Sequence, residues 1–327
     1  MSLDPVAQQA LQALQALQGQ KPAYQQQPQQ LRAARLAAVQ AATNNQGTLL
    51  SVARVEDRVV PRVGKVNLLN GRWQRTSVQG QIPVRLYAPD SSEGLPLLIY
   101  AHGGGWVTGG LLAVDDTCRT LSSQAGIAVL SVDYRLAPET PFPGAVDDLF
   151  AVLKWVQEEG AAVGLNPNRV AVGGDSSGGN LAAVIALLAK QEHVPLQAQV
   201  LLYPVTDHRC NSPSYEEFAV GYNLTRDDMK WYWSQYLGDA DGESFLASPL
   251  HATDLSGLPL TLLTTCGCDP LRDEGEAFGK RLREAGVQVE IQREEGMIHG
   301  FMVNPWGKHR RLDALARVAE FLRSRLV

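Results

Sequence analysis

The chain has 327 residues, of which 45% are hydrophobic and 19% charged, and its formal net charge is -5 at pH 7. This length and apolar content allow a sizeable buried core, and α/β enzymes of this size commonly form a single catalytic unit. The small, dispersed charge excludes the strongly basic surface of a nucleic-acid-binding protein, and no apolar run is long enough to cross a bilayer. We therefore expect a small neutral substrate, no nucleic acid and no stable membrane insertion.

The N-terminal segment, residues 4–45, is rich in Gln and Ala. Three leucines in its first part share partial helical spacing: Leu11, Leu14 and Leu17. A similar pattern follows at 31–39, and Pro22 and Pro28 interrupt the helical spacing between the two parts. A glutamine-rich tract can also be plain disorder. The leucine spacing favours two helices that need a partner surface.

Apolar runs typical of strands recur along the rest of the chain, at 73–78, 83–87, 97–101, 128–133, 169–173, 198–203, 260–265 and 287–292. Helical patterns separate the later runs, at 145–159, 177–191, 274–285 and 311–325. This alternation predicts an α/β fold with a mostly parallel eight-stranded sheet flanked by helices on both faces. The first strands have no helices between them, and we expect them to pair antiparallel at one edge.

The strand-like run at 97–101 leads directly into a triple glycine, Gly103, Gly104 and Gly105. Without side chains, these residues can turn their backbone N–H groups toward a substrate carbonyl oxygen. The alternative is a flexible turn without a function. We predict that the three N–H groups belong to an oxyanion hole.

A G-x-S-x-G motif, with Gly174, Ser176 and Gly178, lies between the strand predicted at 169–173 and the helix predicted at 177–191. A serine on so sharp a turn has strained backbone angles, and its neighbours two residues away must be nearly free of side-chain atoms. The motif alone is weak, and the alternative is a glycine-rich helix cap. The strand–helix context favours Ser176 as a nucleophile, with the N–H of Ser177 completing the oxyanion hole.

A nucleophilic serine requires a base and a carboxylate that orients the base. Asp269 follows the strand predicted at 260–265, and catalytic groups of open α/β sheets lie at such strand ends. Asp273 suits instead the first turn of a helix. His299 follows the last predicted strand, and the order Ser176, Asp269, His299 is the nucleophile, acid and base order that accompanies this motif.

The other histidines have no catalytic pattern. His102 opens the glycine loop, where we expect it to brace the loop rather than act as the base. The remaining four lie in polar or loop-like surroundings without ligand-type spacing: His193, His208, His251 and His309. We interpret them as surface or packing residues, and we predict no metal site and no cofactor.

The cysteines are Cys118, Cys210, Cys266 and Cys268. Their spacing matches neither a disulfide framework nor a C-x-x-C redox motif, which predicts four free thiols. The N-terminus carries no basic segment followed by an apolar run, so we expect no secretory signal. Together these features predict a cytoplasmic location.

Four segments occur in a specific order: His102-Gly103-Gly104-Gly105-Trp106, Asp133-Tyr134-Arg135-Leu136-Ala137-Pro138-Glu139, Gly174-Asp175-Ser176-Ser177-Gly178-Gly179-Asn180, and Asp269-Pro270-Leu271 followed by His299-Gly300-Phe301. In these segments the chain resembles bacterial carboxylesterases of the hormone-sensitive lipase family, which have the α/β-hydrolase fold. The resemblance implies a triad of Ser176, Asp269 and His299. Family members more often have alanine after the nucleophile; because the oxyanion hole uses main-chain groups, we expect function to survive Ser177.

The resemblance also implies a helical cap made of residues 1–47 and an insertion, residues 205–250, over a catalytic core of residues 48–204 and 251–327. The insertion is rich in aromatic residues: Tyr215, Phe218, Tyr222, Trp231, Tyr232, Trp233 and Tyr236. We expect at least half of them to hold the cap helices together and the rest to line an apolar pocket. The predicted pocket residues are Trp106, Tyr203, Phe218, Tyr222 and Phe301.

We therefore predict a serine carboxylesterase that hydrolyses short- to medium-chain acyl esters through an acyl-enzyme intermediate. A small-molecule ester is the expected partner, and a homodimer is left open. An amidase, a lactonase or an acyltransferase would use the same triad, since the triad dictates neither the leaving group nor the acceptor. A non-catalytic ligand receptor is the alternative from another class, against which the intact His299 argues.

Overall fold

The structure is a computed structural model that describes residues 2–16, 21–45, 49–76, 80–304 and 308–327. Its strands are β1 (Arg54–Pro61), β2 (Lys65–Val66), β3 (Trp73–Gln74), β4 (Gln81–Ala88), β5 (Leu95–Ala101), β6 (Ala128–Val132), β7 (Leu165–Asp175), β8 (Ala198–Leu202), β9 (Leu260–Cys268) and β10 (Val289–Ile298). Eight of them form one sheet in the order β1-β4-β6-β5-β7-β8-β9-β10. β4 pairs antiparallel with β1 and β6, and the pairs from β6 to β10 are parallel. The predicted mostly parallel sheet with an antiparallel edge is confirmed.

One predicted strand lies outside the main sheet. Among the described residues 73–76 the strand is β3, which pairs with β2, and residues 77 and 78 lie outside the described part of the chain. The eighth place in the main sheet belongs to β1, which the apolar runs did not reveal. β1 is an edge strand in which Val55 and Val59 are exposed, so it has no continuous apolar face. Charged residues on an edge strand discourage pairing with other chains.

The helices are α1 (Pro5–Ala16), α2 (Pro28–Asn45), α3 (Asp115–Ala125), α4 (Gly144–Glu159), α5 (Ser177–Gln191), α6 (Pro213–Glu217), α7 (Arg226–Leu237), α8 (Arg272–Glu284) and α9 (Lys308–Leu326). Short 3-10 turns occupy Ala23–Gln25, Leu111–Val114, Gly160–Val163 and Pro249–His251. The four predicted core helices are confirmed as α4, α5, α8 and α9. α3 was missed because its buried positions include Thr117, Thr120 and Ser122, residue types with modest helix propensity.

The two N-terminal helices have the partner surfaces that their leucines require. Leu11 of α1 is buried in a cluster with Phe218 and Ile298, and Leu31 of α2 is buried in the main core. Leu17 and the side chain of Leu14 lie outside the described part of the chain, as do residues 46–48 around the predicted boundary of the N-terminal segment. The division into core and cap stays a prediction.

The core has two layers, one on each face of the sheet. Successive side chains of a strand point to opposite faces, and β5 shows the result. Leu97 and Ile99 pack in the layer with α4, α5 and α8, whereas Leu98 and Tyr100 pack in the layer with α3 and α9. All four cysteines are buried and free, as predicted. Among the described residues, no helix combines the length and the apolar character needed to cross a membrane.

Candidate active site

Ser176 lies on the sharp turn between β7 and α5. Its backbone angles, φ 56° and ψ -121°, are rare for a residue with a side chain. The turn is held by a hydrogen bond from the Ser176 N–H to the Leu202 carbonyl oxygen, 2.8 Å long. A Cβ atom on Gly174 or Gly178 would lie 2.3 Å or 2.0 Å from the carbonyl oxygen of Ala101. Glycine is therefore required on both sides of the serine, because the turn packs directly against the end of β5.

Asp269 and His299 follow β9 and β10 directly, at the same edge of the sheet as Ser176. His299 Nε2 is 2.8 Å from Ser176 Oγ, and His299 Nδ1 is 2.7 Å from Asp269 Oδ2. The other carboxylate oxygen of Asp269 accepts the backbone N–H of Leu271 at 2.9 Å. The structure thus brings together the three residues that sequence reasoning placed in one triad, in a continuous row of hydrogen bonds.

This row suits proton transfer from the serine hydroxyl. When Nδ1–H donates to the buried carboxylate of Asp269, the lone pair of Nε2 faces Ser176 Oγ. The Tyr203 ring packs edge-on against the imidazole at 4.9 Å between ring centroids. Asn223 Nδ2 donates to the His299 carbonyl oxygen at 3.2 Å. Asn223 was missed, and no motif or spacing in the sequence singles it out.

Asp175 is a second residue that sequence reasoning missed as a functional group. Its Oδ1 accepts the Gly103 N–H and the Tyr100 hydroxyl, both at 3.0 Å. Burial raises the pKa of Asp175 to about 6. Its position was the available signal, because this acid directly precedes the nucleophile and ends a strand whose preceding residues, 170–174, are apolar or glycine. Because the Gly103 N–H is bound to Asp175, this glycine anchors the loop to β7.

Gly104 and Gly105 have left-handed backbone angles, with φ of 121° and 62°. A Cβ atom would lie 2.2 Å from the Thr108 carbonyl oxygen at Gly104 and 2.3 Å from the Tyr232 ring at Gly105. Among the described residues, their N–H groups have no hydrogen-bond acceptor. Ser177 is the first residue of α5, and helix geometry leaves its N–H without an intrahelical acceptor. Of the four predicted oxyanion-hole residues, Gly104, Gly105 and Ser177 thus offer a backbone N–H donor, whereas the Gly103 N–H is bound to Asp175.

His102 is fully buried at the start of the glycine loop. Its Nδ1 is 2.8 Å from the Gly103 carbonyl oxygen, and its ring stacks on Tyr134 at 4.2 Å. Burial lowers the pKa of His102 to about 4, so its imidazole is neutral at physiological pH. The Tyr134 hydroxyl donates to the His102 carbonyl oxygen at 2.7 Å. These contacts are those of a residue that holds the loop in place.

The five predicted pocket residues occupy three places. Tyr203 packs against His299, and the Phe301 ring packs against Tyr203 with the ring centroids 6.2 Å apart. Trp106 is buried and stacks on Tyr236 at 4.2 Å. Phe218 and Tyr222 pack edge-on against each other at 4.9 Å. Tyr203 thus contacts the candidate triad, and the role of all five residues in substrate binding stays a prediction.

A cluster outside the candidate triad has side chains able to bind a metal. Its members are Asp207, His208 and His251, whose ligand atoms lie within 4.8 Å of one another. No spacing in the sequence connects these residues. The described contacts of the candidate triad do not include them.

Sequence comparison relates the chain to known enzymes. A family model described as alpha/beta hydrolase fold matches residues 98–303. The chain is 46% identical over 231 residues to the carboxylic ester hydrolase LipN of Mycobacterium tuberculosis, a match that covers 68% of this chain and 61% of LipN. It is 40% identical over 260 residues to the carboxylesterase NlhH of the same species, covering 78% of this chain and 77% of NlhH.

Structural comparison extends the similarity to nearly the whole chain. A thermostable esterase from Pseudomonas putida superposes with a TM-score of 0.89 at 35% identity, covering 100% of this chain and 98% of that one. A hyperthermophilic esterase from the archaeon Pyrobaculum calidifontis gives a TM-score of 0.88 at 36% identity, covering 99% of each chain. The mostly parallel sheet and its flanking helices are therefore those of solved esterases.

Proposed function

This chain belongs to the hormone-sensitive lipase family of α/β-hydrolase-fold carboxylic ester hydrolases, and we propose that it cleaves short- to medium-chain acyl esters with a triad of Ser176, His299 and Asp269. The observation that carries this proposal is the row of hydrogen bonds from Ser176 Oγ through the imidazole to Asp269, with distances of 2.8 and 2.7 Å. Backbone N–H groups beside the serine complete the proposed site.

The proposed reaction has two halves. His299 Nε2 takes the proton of Ser176 as Oγ attacks the ester carbonyl carbon, and Asp269 stabilises the imidazolium that forms. The N–H groups of Gly104, Gly105 and Ser177 bind the oxyanion. The imidazolium then protonates the leaving alkoxide, and the acyl group remains on Ser176. Water, deprotonated by His299, attacks the acyl group; Ser176 regains its proton and the acid leaves.

Gly103 has a different part in this proposal from the one that sequence reasoning gave it. Its N–H is bound to Asp175, and a Cβ atom there would lie 2.3 Å from Asp175 Oδ2. The residue therefore holds the loop while Gly104 and Gly105 face the substrate.

We propose that helix α2 positions the glycine loop from outside. Arg35 donates to Thr108 Oγ1 and to the Tyr232 hydroxyl, each at 2.7 Å. Thr108 Oγ1 in turn donates to the Gly104 carbonyl oxygen at 3.0 Å. Arg32 of the same helix donates to the Val107 carbonyl oxygen at 2.7 Å. Arg35 thus reaches a peptide group of the proposed oxyanion hole through Thr108, and Arg32 holds the loop that follows it.

Arg35→Met is expected to lower kcat by about tenfold, because small displacements of oxyanion donors weaken binding of the transition state. KM should change less, since Arg35 reaches the site through Thr108. The measurement is steady-state kinetics on p-nitrophenyl butyrate. Arg323→Met, at an exposed position near the end of α9, is the matched control and should behave like wild type. Equal kcat values for Arg35→Met and this control would contradict the proposed role of Arg35 in positioning the glycine loop.

Short acyl chains are expected to be preferred, because the side chains at the proposed site are enclosed. Ser176 is 9% and His299 7% exposed, and the Tyr203 ring packs against the imidazole of His299. A relative from Pseudomonas putida, 40% identical over 227 residues and matched over 68% of this chain and 71% of its own length, is named ethyl acetate hydrolase. Ethyl acetate is a short-chain ester, and we extend hydrolysis of short-chain esters to this chain as part of the proposal.

A panel of p-nitrophenyl esters tests this expectation. The kcat/KM for acetate, butyrate and hexanoate should exceed that for palmitate by at least about tenfold, since each poorly accommodated methylene costs binding energy in a confined pocket. Equal or faster hydrolysis of palmitate, or of long-chain lipid emulsions, would refute the proposed chain length and leave the ester hydrolase assignment intact.

A further inference from the structure

Four titratable side chains meet where the insertion, residues 205–250, leaves and rejoins the core. Asp207 and His208 lie near its start, after β8, and Glu243 and His251 lie near its end, before β9. Asp207 Oδ1 is 3.1 Å from His251 Nε2 and 3.7 Å from His208 Nδ1. The side chains of Asp207, His208 and His251 are 12%, 23% and 14% exposed. They therefore form an enclosed cluster that an ion from solvent can still reach.

The spacing of these atoms suits a small tetrahedral ion. Two ligands at Zn–N and Zn–O distances of about 2.0–2.1 Å lie about 3.3 Å apart. The observed 3.1 and 3.7 Å fall on either side of that value. Two imidazole nitrogens and one carboxylate oxygen suit Zn²⁺, Co²⁺ or Ni²⁺, whereas Mg²⁺ and Ca²⁺ prefer oxygen ligands alone. Three protein ligands leave a fourth position for water.

His251 supplies an independent indication. Both of its ring nitrogens are shielded from solvent, yet neither makes a hydrogen bond of normal geometry within the described part of the chain. Each nitrogen lies 3.1 Å from a carboxylate oxygen, Nε2 from Asp207 and Nδ1 from Glu243, but neither contact has hydrogen-bond geometry. A buried polar atom without a well-aligned partner is costly and calls for an explanation. A metal ion bound to Nε2 would satisfy one nitrogen directly and orient the ring for the other.

Glu243 is placed to accept the second ring N–H of the two histidines without binding the ion itself. Its side-chain oxygens lie 3.1 Å from His251 Nδ1 and 3.7 Å from His208 Nε2, on the side of each ring that faces away from Asp207. Metal-ligating histidines commonly donate their second N–H to such a carboxylate, which sets the tautomer and the ring orientation. Arg209 holds Glu243 in position through two hydrogen bonds of 3.0 and 2.6 Å.

Two protein contacts already involve proposed ligand atoms. Asp207 Oδ1 accepts the backbone N–H of Arg209 at 3.0 Å, and a carboxylate oxygen has a second lone pair for an ion. His208 Nδ1 is 3.2 Å from Ser248 Oγ. The same hydroxyl oxygen already accepts the backbone N–H of His208 at 3.0 Å. Ser248 therefore keeps a partner when Nδ1 turns to a metal ion.

We propose that Asp207, His208 and His251 bind one divalent transition-metal ion of the zinc class, which links the two ends of the insertion. The linked segment is next to the proposed nucleophile, since the Val205 N–H donates to the Ser176 carbonyl oxygen at 3.3 Å. The Leu250 N–H also donates to the Thr206 carbonyl oxygen at 3.1 Å. The ion takes no part in ester chemistry; it stabilises the insertion.

Cobalt titration of the full chain tests the proposal. Protein freed of metal by chelation and dialysis should bind one Co²⁺ per chain near neutral pH, with visible absorption bands typical of low-coordinate Co²⁺, and Zn²⁺ should displace it. His251→Gln and His208→Gln are each expected to weaken Zn²⁺ binding by at least about tenfold. His309→Gln, at an exposed histidine on α9, is the matched control and should bind like wild type.

Thermal unfolding gives a second readout. Zn²⁺ at about one hundred times its Kd should raise the Tm of the wild type by roughly 5 °C and leave that of His251→Gln unchanged. If His251→Gln lowers the stability of the metal-free protein, Asp207→Asn replaces it, because the amide keeps the shape of the carboxylate. Absence of saturable binding, wild-type affinity in the cluster variants, or binding lost instead in His299→Gln would each overturn the proposal.

Discussion

Ser176→Ala is expected to lower kcat for ester hydrolysis by about 10⁵- to 10⁶-fold, the loss typical when the nucleophile of a serine triad is removed. A methyl group cannot attack the ester carbonyl, and His299 Nε2 loses the hydroxyl that lies 2.8 Å away. The fold should persist, because the turn is held by main-chain contacts, including the Ser176 N–H bond to Leu202. The measurement is kcat on p-nitrophenyl butyrate, with thermal unfolding as the test of folding.

Ser177→Ala is the matched control for this variant, since the two serines are adjacent. Ser177 is expected to act through its main-chain N–H, which alanine retains. Its turnover should therefore stay close to wild type. An organophosphate should label the wild type and Ser177→Ala but not Ser176→Ala. Near-normal turnover in a correctly folded Ser176→Ala would end the assignment of the nucleophile.

Asp269→Asn is expected to lower kcat by about 10⁴-fold while leaving the fold intact. The amide oxygen can still accept the Leu271 N–H, which now bonds to Asp269 Oδ1 at 2.9 Å. The amide nitrogen would face His299 Nδ1 and donate to it, so the ring proton would move to Nε2. In that tautomer the imidazole cannot accept the Ser176 proton. The measurement is kcat across pH 5 to 9.

Asp273→Asn is the control for a carboxylate in the same region. Asp273 accepts the Ser214 N–H at 2.8 Å and an Arg272 Nε–H at 2.7 Å, at the first turn of α8. Removing the charge of this carboxylate should lower the free energy of unfolding modestly and change kcat little. If the two variants lost turnover equally, the orienting role of Asp269 would be contradicted.

The elements of this protein that depend on local chemistry were accessible to prediction. Gly174 and Gly178 flank a serine whose backbone angles require small neighbours. This requirement involves residues only two positions away, so it is visible in the sequence. The later strands are buried on both faces and so appear as continuous apolar runs. These strands end at one edge of the sheet, and the nucleophile, acid and base order predicted that Ser176, Asp269 and His299 meet there.

Features made by residues far apart in the chain escaped prediction. β1 belongs to the main sheet because it pairs with β4, although its own pattern is that of a charged, half-exposed segment. The bond between Gly103 and Asp175 joins residues 72 positions apart, and it changed the expected role of Gly103. His208 and His251 were interpreted as unconnected surface or packing residues, yet they meet around Asp207.

Backbone strain, helix caps and strand burial are imposed within a few residues, so the order of the amino acids alone was enough to place the nucleophile turn and the sheet. Hydrogen bonds and ligand clusters require atoms to come within about 3 Å, and the chain path between two such atoms is free to vary in length and composition. Which N–H groups remain available to an oxyanion, and which histidines meet, is therefore determined by how the strands and the insertion pack.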